Sequence, residues 1–508
     1  MKKTLALFLA AIMLLGLASF SAAAEQPLEI SLYYADNPTL PFRQDWPTIV
    51  EAEKKFNVKL TFEPIPAQDY PTKTGLVLST GENAPDVILY LATNASNSAY
   101  ALNGAIVPIS DYAEWTPNFW ARVKEMGLEE DVEMRRISDG KLYYLPALYD
   151  KPFYDGGLIM REDYLKAKGF EAPKSYDDLY TILKAYKEEN PDSYPLTSIV
   201  ALRVLQRMVM PSFGISVGRN ASTGTGVLSW DYDKKEYFAG AISPEYKEYI
   251  SYMAKLHKEG LLDPELEQDY ALTAKKLATG AAIATYGYYD QIGGWEQASE
   301  IEGFKLNMYP PLVGPGGAHH QPKSKTGVGP MFPIGTSKKA NFEQIVRKVD
   351  EIFFSEEGAK LWCLGVEGDS YTMDGDKVVF NDTIMKSADG VYKYMQNAYG
   401  AGCDPIQLVW YLERELNKYD ENYARINAEV AAMDDAIQAV IPPPVLDAVD
   451  AEEASLTQTA LLDAFNVWDD DFRTGKKSVE TDWDAYVQEL QDKGIEGFLK
   501  LYNDNKKL

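Results

Sequence analysis

The sequence predicts an α/β protein of two lobes, each built on an open, mostly parallel sheet flanked by helices. Three observations lead to this prediction. The chain is 508 residues long, and a single hydrophobic core rarely serves more than about 250–300 residues. It opens with alternating strand and helix patterns, and a second α/β pattern follows an aromatic, glycine-jointed stretch at 139–165.

The opening pattern is strand, helix, strand, helix, strand. Alternating or continuous apolar runs predict the strands, and apolar residues at helical spacing predict the helices. Such alternation is typical of a parallel sheet, in which ligands bind beyond the carboxyl ends of the strands. The loops at those ends offer Asn37 and Asn94 as polar groups. The predicted elements are strands at 28–34, 58–63 and 87–90 and helices at 43–56 and 69–80.

The stretch at 139–165 has the pattern of a crossing between two lobes. Two short apolar runs, 142–145 and 158–160, flank a bend that contains Tyr149 and Tyr154. Gly156 and the glycine after it provide a joint with no Cβ to restrict the backbone. A simple hairpin has the same local pattern, so the surrounding α/β patterns decide the interpretation.

Beyond residue 165 the same hydrophobic patterns predict a second set of helices and strands. Helices are expected at 175–186, 244–260 and 341–354, with strands at 281–289, 304–308 and 327–334. The residues from 417 to 508 are expected to be mostly helical, with a break at the three prolines 442–444.

The N-terminus has the three parts of a secretory signal peptide. Lys2 and Lys3 precede an apolar core at 5–20, and the small residues 22–24 provide a cleavage site before Glu25. No cysteine lies near this site to carry a lipid anchor, so we expect a released protein. Loss of the two lysines changes the net charge from −26 to −28. This acidity argues against binding to nucleic acid or to an anionic membrane.

Cysteine and histidine are scarce. Export permits a disulfide between Cys363 and Cys403, but buried thiols are an equal alternative. His319 and His320 are adjacent in a loop rich in glycine and proline, with no third ligand at metal-binding spacing. We therefore expect neither a metal site nor a cofactor.

Five passages along the chain carry a family resemblance. They are, in order, GLIMREDYL with PKSYDDL, PEYKEYISYMAKLHKEGLLDPEL, TGAAIATYGYYDQIGGW, SEEGAKLWCLGVEGDSYT, and FRTGKKSVETDWDAYVQELQDKGIEGFLKLYND. Each match is loose alone, but their order and spacing are specific together. They resemble bacterial extracellular solute-binding proteins of the family 1 type, and among these the large oligosaccharide-binding subunits of ABC importers, the group that includes alginate-binding proteins.

This resemblance implies a periplasmic-binding-protein fold of the type II kind, with the ligand cleft between the lobes. It also implies a periplasmic monomer that delivers an oligosaccharide to the permease of an ABC transporter in the inner membrane. The expected boundaries are 25–148 with 312–365 for the first lobe, 150–308 with 370–508 for the second, and hinge crossings near 146–157, 308–314 and 365–371.

One passage departs from part of the family. Some members carry an acidic, glycine-rich calcium loop before the Pro-Leu-Thr that here is 195–197. In this chain residues 190–194 are only Asn-Pro-Asp-Ser-Tyr, which lack the alternating oxygen ligands that calcium needs. We predict no calcium ion at Asp192.

A sugar has an apolar face that aromatic rings can cover and a rim of hydroxyls that polar side chains can bind. Core packing is the alternative for each aromatic residue, and a hinge hydrogen bond is the alternative for Glu367. Arg203 and Arg207 suit a carboxylate or a hydroxyl pair, but solvated helix charges explain them equally well. The candidate ligand-binding residues are Asn37, Asn94, Tyr149, Tyr154, Arg203, Tyr288, Tyr289, Asp290 and Trp295 (the last four in a glycine-punctuated loop), Glu367 and Trp410.

Two other functions compete with oligosaccharide transport. A binding protein for peptides or another small solute would show the same aromatic content. An exported glycoside hydrolase would need two carboxylates that flank a sugar, and the 76 acidic residues do not reveal such a pair. The sequence contains none of the hydrolase, metalloprotease or phosphate-loop motifs, so we expect no enzyme activity.

Overall fold

The computed structural model describes residues 26–506 with gaps. The gaps are 38–39, 92–94, 151–155, 199–201, 219–220, 222, 267–269, 321–323, 376, 388–390, 404–405 and 411–435.

The helices begin and end where local signals favour it. Pro47 occupies the first turn of α1, where its missing N–H costs nothing. Ser175 and Asp178 form a capping box at the start of α7. The helices are α1 (Pro47–Phe56), α2 (Tyr70–Thr80), α3 (Ala95–Leu102), α4 (Pro117–Met126), α5 (Glu129–Glu133), α6 (Glu162–Lys168), α7 (Tyr176–Glu189), α8 (Leu202–Val209), α9 (Pro244–Lys258), α10 (Tyr270–Ala278), α11 (Ile292–Gln297), α12 (Phe342–Phe354), α13 (Glu356–Leu364), α14 (Asp382–Met385), α15 (Val391–Tyr399), α16 (Ala448–Thr474), α17 (Trp483–Asp492) and α18 (Ile495–Asp504).

The strands are short and form two four-stranded sheets and three two-stranded pairs. They are β1 (Leu28–Asp36), β2 (Val58–Pro66), β3 (Val87–Leu91), β4 (Leu148–Tyr149), β5 (Gly156–Arg161), β6 (Leu196–Ser198), β7 (Ser229–Asp231), β8 (Glu236–Phe238), β9 (Ala284–Tyr288), β10 (Leu306–Tyr309), β11 (Gly329–Met331), β12 (Tyr371–Asp374), β13 (Lys377–Phe380) and β14 (Val409–Trp410).

The first sheet has the strand order β11-β3-β1-β2. β1 is parallel to β2 and to β3, whereas β11 is antiparallel to β3, so the predicted opening pattern is confirmed. The edge strand β2 buries Val58, Leu60 and Phe62 and exposes the residues between them. The alternation in β2 is therefore that of a strand with one face covered. The interior strand β3, in contrast, is apolar along 87–89 and fully buried there.

The second sheet has the strand order β10-β5-β9-β6. β5 is antiparallel to both of its neighbours, β9 and β10. β6 and β9 are parallel to each other. The expected mostly parallel pairing therefore describes the first sheet but not the second. Helices α7, α8, α9 and α16 supply much of the core around this sheet.

Three segments run side by side between the two sheets, namely 147–150, 325–328 and 408–410. They are joined as short strands by backbone hydrogen bonds from Leu148 N to Leu408 O (2.8 Å), Tyr149 N to Lys325 O (2.9 Å), Asp150 N to Trp410 O (3.1 Å) and Gly327 N to Ala147 O (2.8 Å). We call these three segments the crossing.

Residues 371–403 pack with the first lobe, which differs from the expected boundaries. Trp46 Nε1 donates to Asn397 O at 3.1 Å, and Thr48 Oγ1 donates to Tyr399 O at 2.6 Å. Residues 313–320 pack with the second lobe, because the His320 ring lies 3.2 Å from Gly156 O. These contacts join described residues of 371–403 to the first lobe and His320 to the second, while the lobe boundaries and hinge crossings stay a prediction.

The apolar run 142–145 forms no strand in the structure and makes an isolated bridge, between Tyr144 and Met331. Of the two alternatives for the cysteines, the structure has the buried thiols, since Cys363 and Cys403 are both buried and no disulfide joins them. Among the described residues, no helix is both long and apolar enough to cross a membrane, and no group of three or more His, Cys, Asp or Glu could hold a metal ion.

The loop at 190–194 is held by a lysine. Lys187 Nζ donates to Ser193 O at 2.6 Å and lies 4.9 Å from the centre of the Tyr194 ring. The absence of calcium at Asp192 stays a prediction.

Candidate functional site

One edge of the first sheet faces the crossing. This edge holds the carboxyl end of β1 at Asp36, the end of β3 at Leu91, and the start of β11 at Gly329, which pairs with Leu91. A Cβ on residue 329 would collide with the backbone of Leu145. Glycine at this position therefore lets β11 lie directly against Leu145, two residues before the crossing begins.

The second sheet also turns one edge toward the crossing. Gly156 begins β5 shortly after the crossing and lies opposite Tyr288, the last residue of β9. Met208 and Gly287 fill the space that a side chain on residue 156 would need. The ends of the two sheets thus face the same three segments, which defines the expected position of a cleft.

Two predicted aromatic residues meet in the crossing. The rings of Tyr149 and Trp410 are stacked, with 5.6 Å between their centres and 17° between their planes. Trp410 Nε1 donates to Gln407 O at 2.9 Å, which fixes the indole. A Cβ on Gly327 would lie 3.1 Å from the Tyr149 ring, so the glycine leaves room for this ring. Trp410 is 7% exposed, and Tyr149 is half-buried.

An arginine and a tyrosine form a second pair, on the edge of the second sheet. Arg207 Nη2 donates to the Tyr288 hydroxyl at 2.8 Å, and its guanidinium lies 5.4 Å from the centre of the same ring. Both residues are half-buried. The hydrogen bond and the ring contact restrain the guanidinium and the ring together, which favours the recognition of a polar ligand.

The edge of the first sheet carries a residue that sequence reasoning missed. Tyr90 has a φ of 62° and is 40% exposed. Bulky residues rarely adopt the left-handed region, and such strain is concentrated at binding sites. The only available signal was that this aromatic residue follows the buried run 87–89 at the end of β3. Nothing in the sequence reveals its backbone angle.

The other predicted site residues divide into four groups. Asn37 follows β1 at the first edge and is exposed. Tyr289 and Trp295 belong to the second core, with exposed fractions of 9% and 4%. Glu367 is exposed and makes a bridge with Tyr371 at the end of the first lobe. The remaining four, Asn94, Tyr154 and the side chains of Arg203 and Asp290, lie outside the described residues.

The predicted glycine-punctuated loop after β9 is wrong. Residues 289–291 form a 3₁₀ turn that continues into helix α11, and Gly293 is buried inside this helix. Trp295 points into the core because its helix packs against the sheet, which the glycines did not reveal.

A cavity of about 330 Å³ lies elsewhere, on the outer side of the first lobe. Phe56 and Trp115 form apolar parts of its wall, and Asn118, Arg347 and Glu351 form polar parts. Phe56 ends α1 just before β2 begins, so this cavity is at the edge of the first sheet that points away from the crossing.

Two α/β lobes with facing sheet edges and a three-segment crossing define a two-lobe binding protein. The chain belongs to the family described as bacterial extracellular solute-binding protein, whose family model matches residues 48–344. Membership of this family of binding proteins implies a location outside the cytoplasm.

Relatives and solved structures agree with this family. The chain is 23% identical over 335 residues to the polygalacturonan/rhamnogalacturonan-binding protein YtcQ of Bacillus subtilis, covering 65% of this chain and 64% of that protein. It is 25% identical over 307 residues to the fructooligosaccharide ABC transporter substrate-binding protein FusA of Streptococcus pneumoniae, covering 56% of this chain and 53% of that protein.

The crystal structure of the alginate-binding protein AlgQ2 without calcium ion superposes with a TM-score of 0.79 at 19% identity, covering 95% of this chain and 98% of that chain. At this identity the superposition shows a shared fold.

Proposed function

We propose that this protein captures an oligosaccharide between its lobes and delivers it to the permease of an ABC transporter. The observation that carries the proposal is the stacked Tyr149–Trp410 pair in the crossing, with the Arg207–Tyr288 pair on the facing edge. Aromatic rings cover the apolar face of a sugar, and a guanidinium bonds to its hydroxyl or carboxylate groups. Two relatives are named for polysaccharide or oligosaccharide ligands, which supports the same class.

The two-lobe arrangement suggests how capture would work. A ligand that touches both lobes favours the closed form only if it binds that form more tightly than the open one. Tyr90 and Asn37 on one edge and Tyr288 on the other are suited to contact the same ligand from both sides. Micromolar affinity requires about −8 kcal/mol, which a few stacked rings and directed hydrogen bonds supply.

Thermal unfolding with a panel of probes tests the ligand class. The panel contains trigalacturonate, kestose and a tripeptide. A probe present at one hundred times its Kd should add about 2.7 kcal/mol, or roughly 5–10 °C for lobes of this size. A shift with one of the sugars, with no hydrolysis of that sugar, supports the proposal. A shift with the tripeptide alone would contradict it, and hydrolysis of a bound sugar would favour an enzyme.

Paired substitutions test the place of binding. Trp410→Leu and Tyr149→Leu should each raise the Kd of the bound sugar about tenfold or more, because each removes a stacked ring. Trp115→Leu is the matched control, since this indole lines the outer cavity. A loss of affinity in the Trp115 variant alone would move the site to that cavity and refute the crossing site.

We also propose that the protein works as a monomer in the periplasm without a lipid anchor. The signal-peptide pattern, which has no adjacent cysteine, supports the location and the absence of an anchor. Fractionation should find the protein in the osmotic-shock fluid, and its mass in solution should be that of one chain. Retention in the membrane fraction would contradict the absence of an anchor.

A further inference from the structure

Helix α8 lies between the proposed site and a buried carboxylate. Its Arg207 contacts Tyr288 at the edge of the second sheet. One residue earlier, Gln206 is 7% exposed, and its Nε2 donates to Asp469 Oδ2 at 3.1 Å. The helix that carries the proposed ligand-binding arginine is therefore tied to α16 on its other side.

Asp469 accepts a second hydrogen bond, from the Tyr246 hydroxyl of α9 to Oδ1 at 2.8 Å. The carboxyl is 3% exposed. Thus α8 and α9, both distant in sequence from α16, donate to the two oxygens of one residue on that helix. A carboxylate held in this way fixes the relative position of all three helices, because charge-assisted hydrogen bonds are short and directional.

The groups that face Asp469 come from every helix packed around it. Arg473 and Asp470 lie on its own helix, and Arg473 Nη2 pairs with Asp470 at 2.6 Å. From the neighbouring helices it is faced by Tyr246 and Tyr249 of α9, Tyr486 of α17 and Gln206 of α8. Burial raises the pKa of Asp469 to about 6, and the positive charge of Arg473 opposes that rise.

We propose that Asp469 is a positioning residue for ligand binding, which holds α8 through Gln206 and thereby orients Arg207 toward the crossing. The consequence for affinity rests on the proposed function, whereas the positioning of α8 does not. When Asp469 carries its charge, the bond from Gln206 is charge-assisted and roughly twice as strong as a neutral one. Removing the donor or the acceptor abolishes this bond, so α8 should become less protected and the ligand should bind less tightly in variants that lack either partner.

Amide hydrogen exchange of the ligand-free protein tests the positioning of α8. The amides of 202–209 should be at least threefold less protected in Gln206→Leu than in the wild type at pH 7.5. Asp350→Asn is the matched control, because it alters a buried carboxyl of the first lobe, and it should leave α8 unchanged. Equal protection of α8 in the wild type and in Gln206→Leu would overturn the proposal.

Calorimetric titration with trigalacturonate and kestose tests the effect on binding. At pH 7.5 the Kd of the sugar that binds should rise about fivefold or more in Gln206→Leu and in Asp469→Ala, and it should stay within about twofold of the wild type in Asp350→Asn. An unchanged Kd in both Gln206→Leu and Asp469→Ala would contradict the role of Asp469. If the wild type binds neither sugar, the proposed ligand class fails, and the exchange experiment alone decides whether Asp469 positions α8.

Discussion

Two buried carboxyl groups, one in each lobe, are held in different ways. Asp350 on α12 is 1% exposed and accepts from the backbone of α4, with Asn118 N at 2.9 Å and Phe119 N at 2.8 Å. The Asn118 side chain adds a third bond at 2.8 Å. Asp469 accepts from two side chains, those of Gln206 and Tyr246. Burial raises the pKa of both carboxyls.

The difference between backbone donors and side-chain donors separates a carboxyl that supports the fold from one that is linked to the proposed binding site. Thr116 precedes α4 but makes no capping bond, and its hydroxyl donates to Ala113 O at 3.2 Å instead. Asp350 takes over the role of the missing cap from a distant helix, because the first N–H groups of a helix lack internal partners. Asp469 satisfies no backbone group among its described contacts; it links side chains, and one of them belongs to the helix that carries Arg207.

The largest expected effect is the loss of the cap in Asp350→Ala. This change leaves the N–H groups of Asn118 and Phe119 without their acceptor, and buried donors that lose a partner cost about 1–3 kcal/mol each. The free energy of unfolding should fall by about 3 kcal/mol or more in urea titrations. Sugar affinity should stay within about twofold of the wild type. A loss below about 1 kcal/mol would show that Thr116 or water replaces the carboxylate.

The next effect is the pH dependence of stability that comes from Asp469. Its pKa is about 6 in the folded protein and 3.8 is its ordinary value, so between these values the folded state binds more protons than the unfolded state. The free energy of unfolding should therefore fall as pH rises from about 4 to 6 and then level off. The full difference corresponds to about 3 kcal/mol at 1.36 kcal/mol per pH unit.

Comparison with Asp469→Asn isolates this contribution, since the other titrating groups are shared. Urea unfolding between pH 4 and pH 7.5 should show a smaller decline in stability for the variant than for the wild type. Parallel curves for the two proteins would mean that Asp469 is already ionised at pH 5 in the folded state, which would contradict the effect of its burial.

The smallest effects come from removing one side-chain donor in each lobe. Tyr246→Phe removes one of the two bonds to Asp469, and we expect a loss of about 2 kcal/mol at pH 7.5 because the acceptor is charged and buried. Asn118→Ala should cost only about 1 kcal/mol, since the backbone bonds to Asp350 remain. Thermal unfolding at pH 7.5 and pH 5 measures both. The Tyr246 variant should recover part of its loss at pH 5, and a loss that is the same at both pH values would remove the distinction between the two carboxyls.

The fold of the first lobe could be predicted from the sequence because its signals are local. The alternating β2 and the continuous apolar run of β3 each reveal how many faces of the strand are covered. The lobe boundaries could not be predicted in the same way. Residues 371–403 join the first lobe through contacts such as the bond from Trp46 to Asn397 O, which connects residues that are distant in the chain. No local pattern encodes such a partner.

The candidate site also contains features that local sequence patterns reveal and features that depend on long-range packing. The sequence identified Tyr149 in the crossing stretch and Trp410 as a candidate ligand-binding residue, and the structure brings the two rings together. It identified Trp295 on similar grounds, but that ring lies in the core. Composition reveals that aromatic residues are available, whereas helix packing determines which of them reach a surface.

By itself, the sequence determined the α/β class, the opening parallel strands, the aromatic crossing segment and the resemblance to solute-binding proteins. These depend on hydrophobic periodicity, glycine placement and motif order, which act over a few turns or strands. Only the tertiary structure decided the left-handed backbone of Tyr90, the pairing of Arg207 with Tyr288 and the burial of Asp469. Each of these depends on segments that meet across long stretches of chain, where long-range packing determines the environment of a side chain more strongly than its neighbours in the sequence.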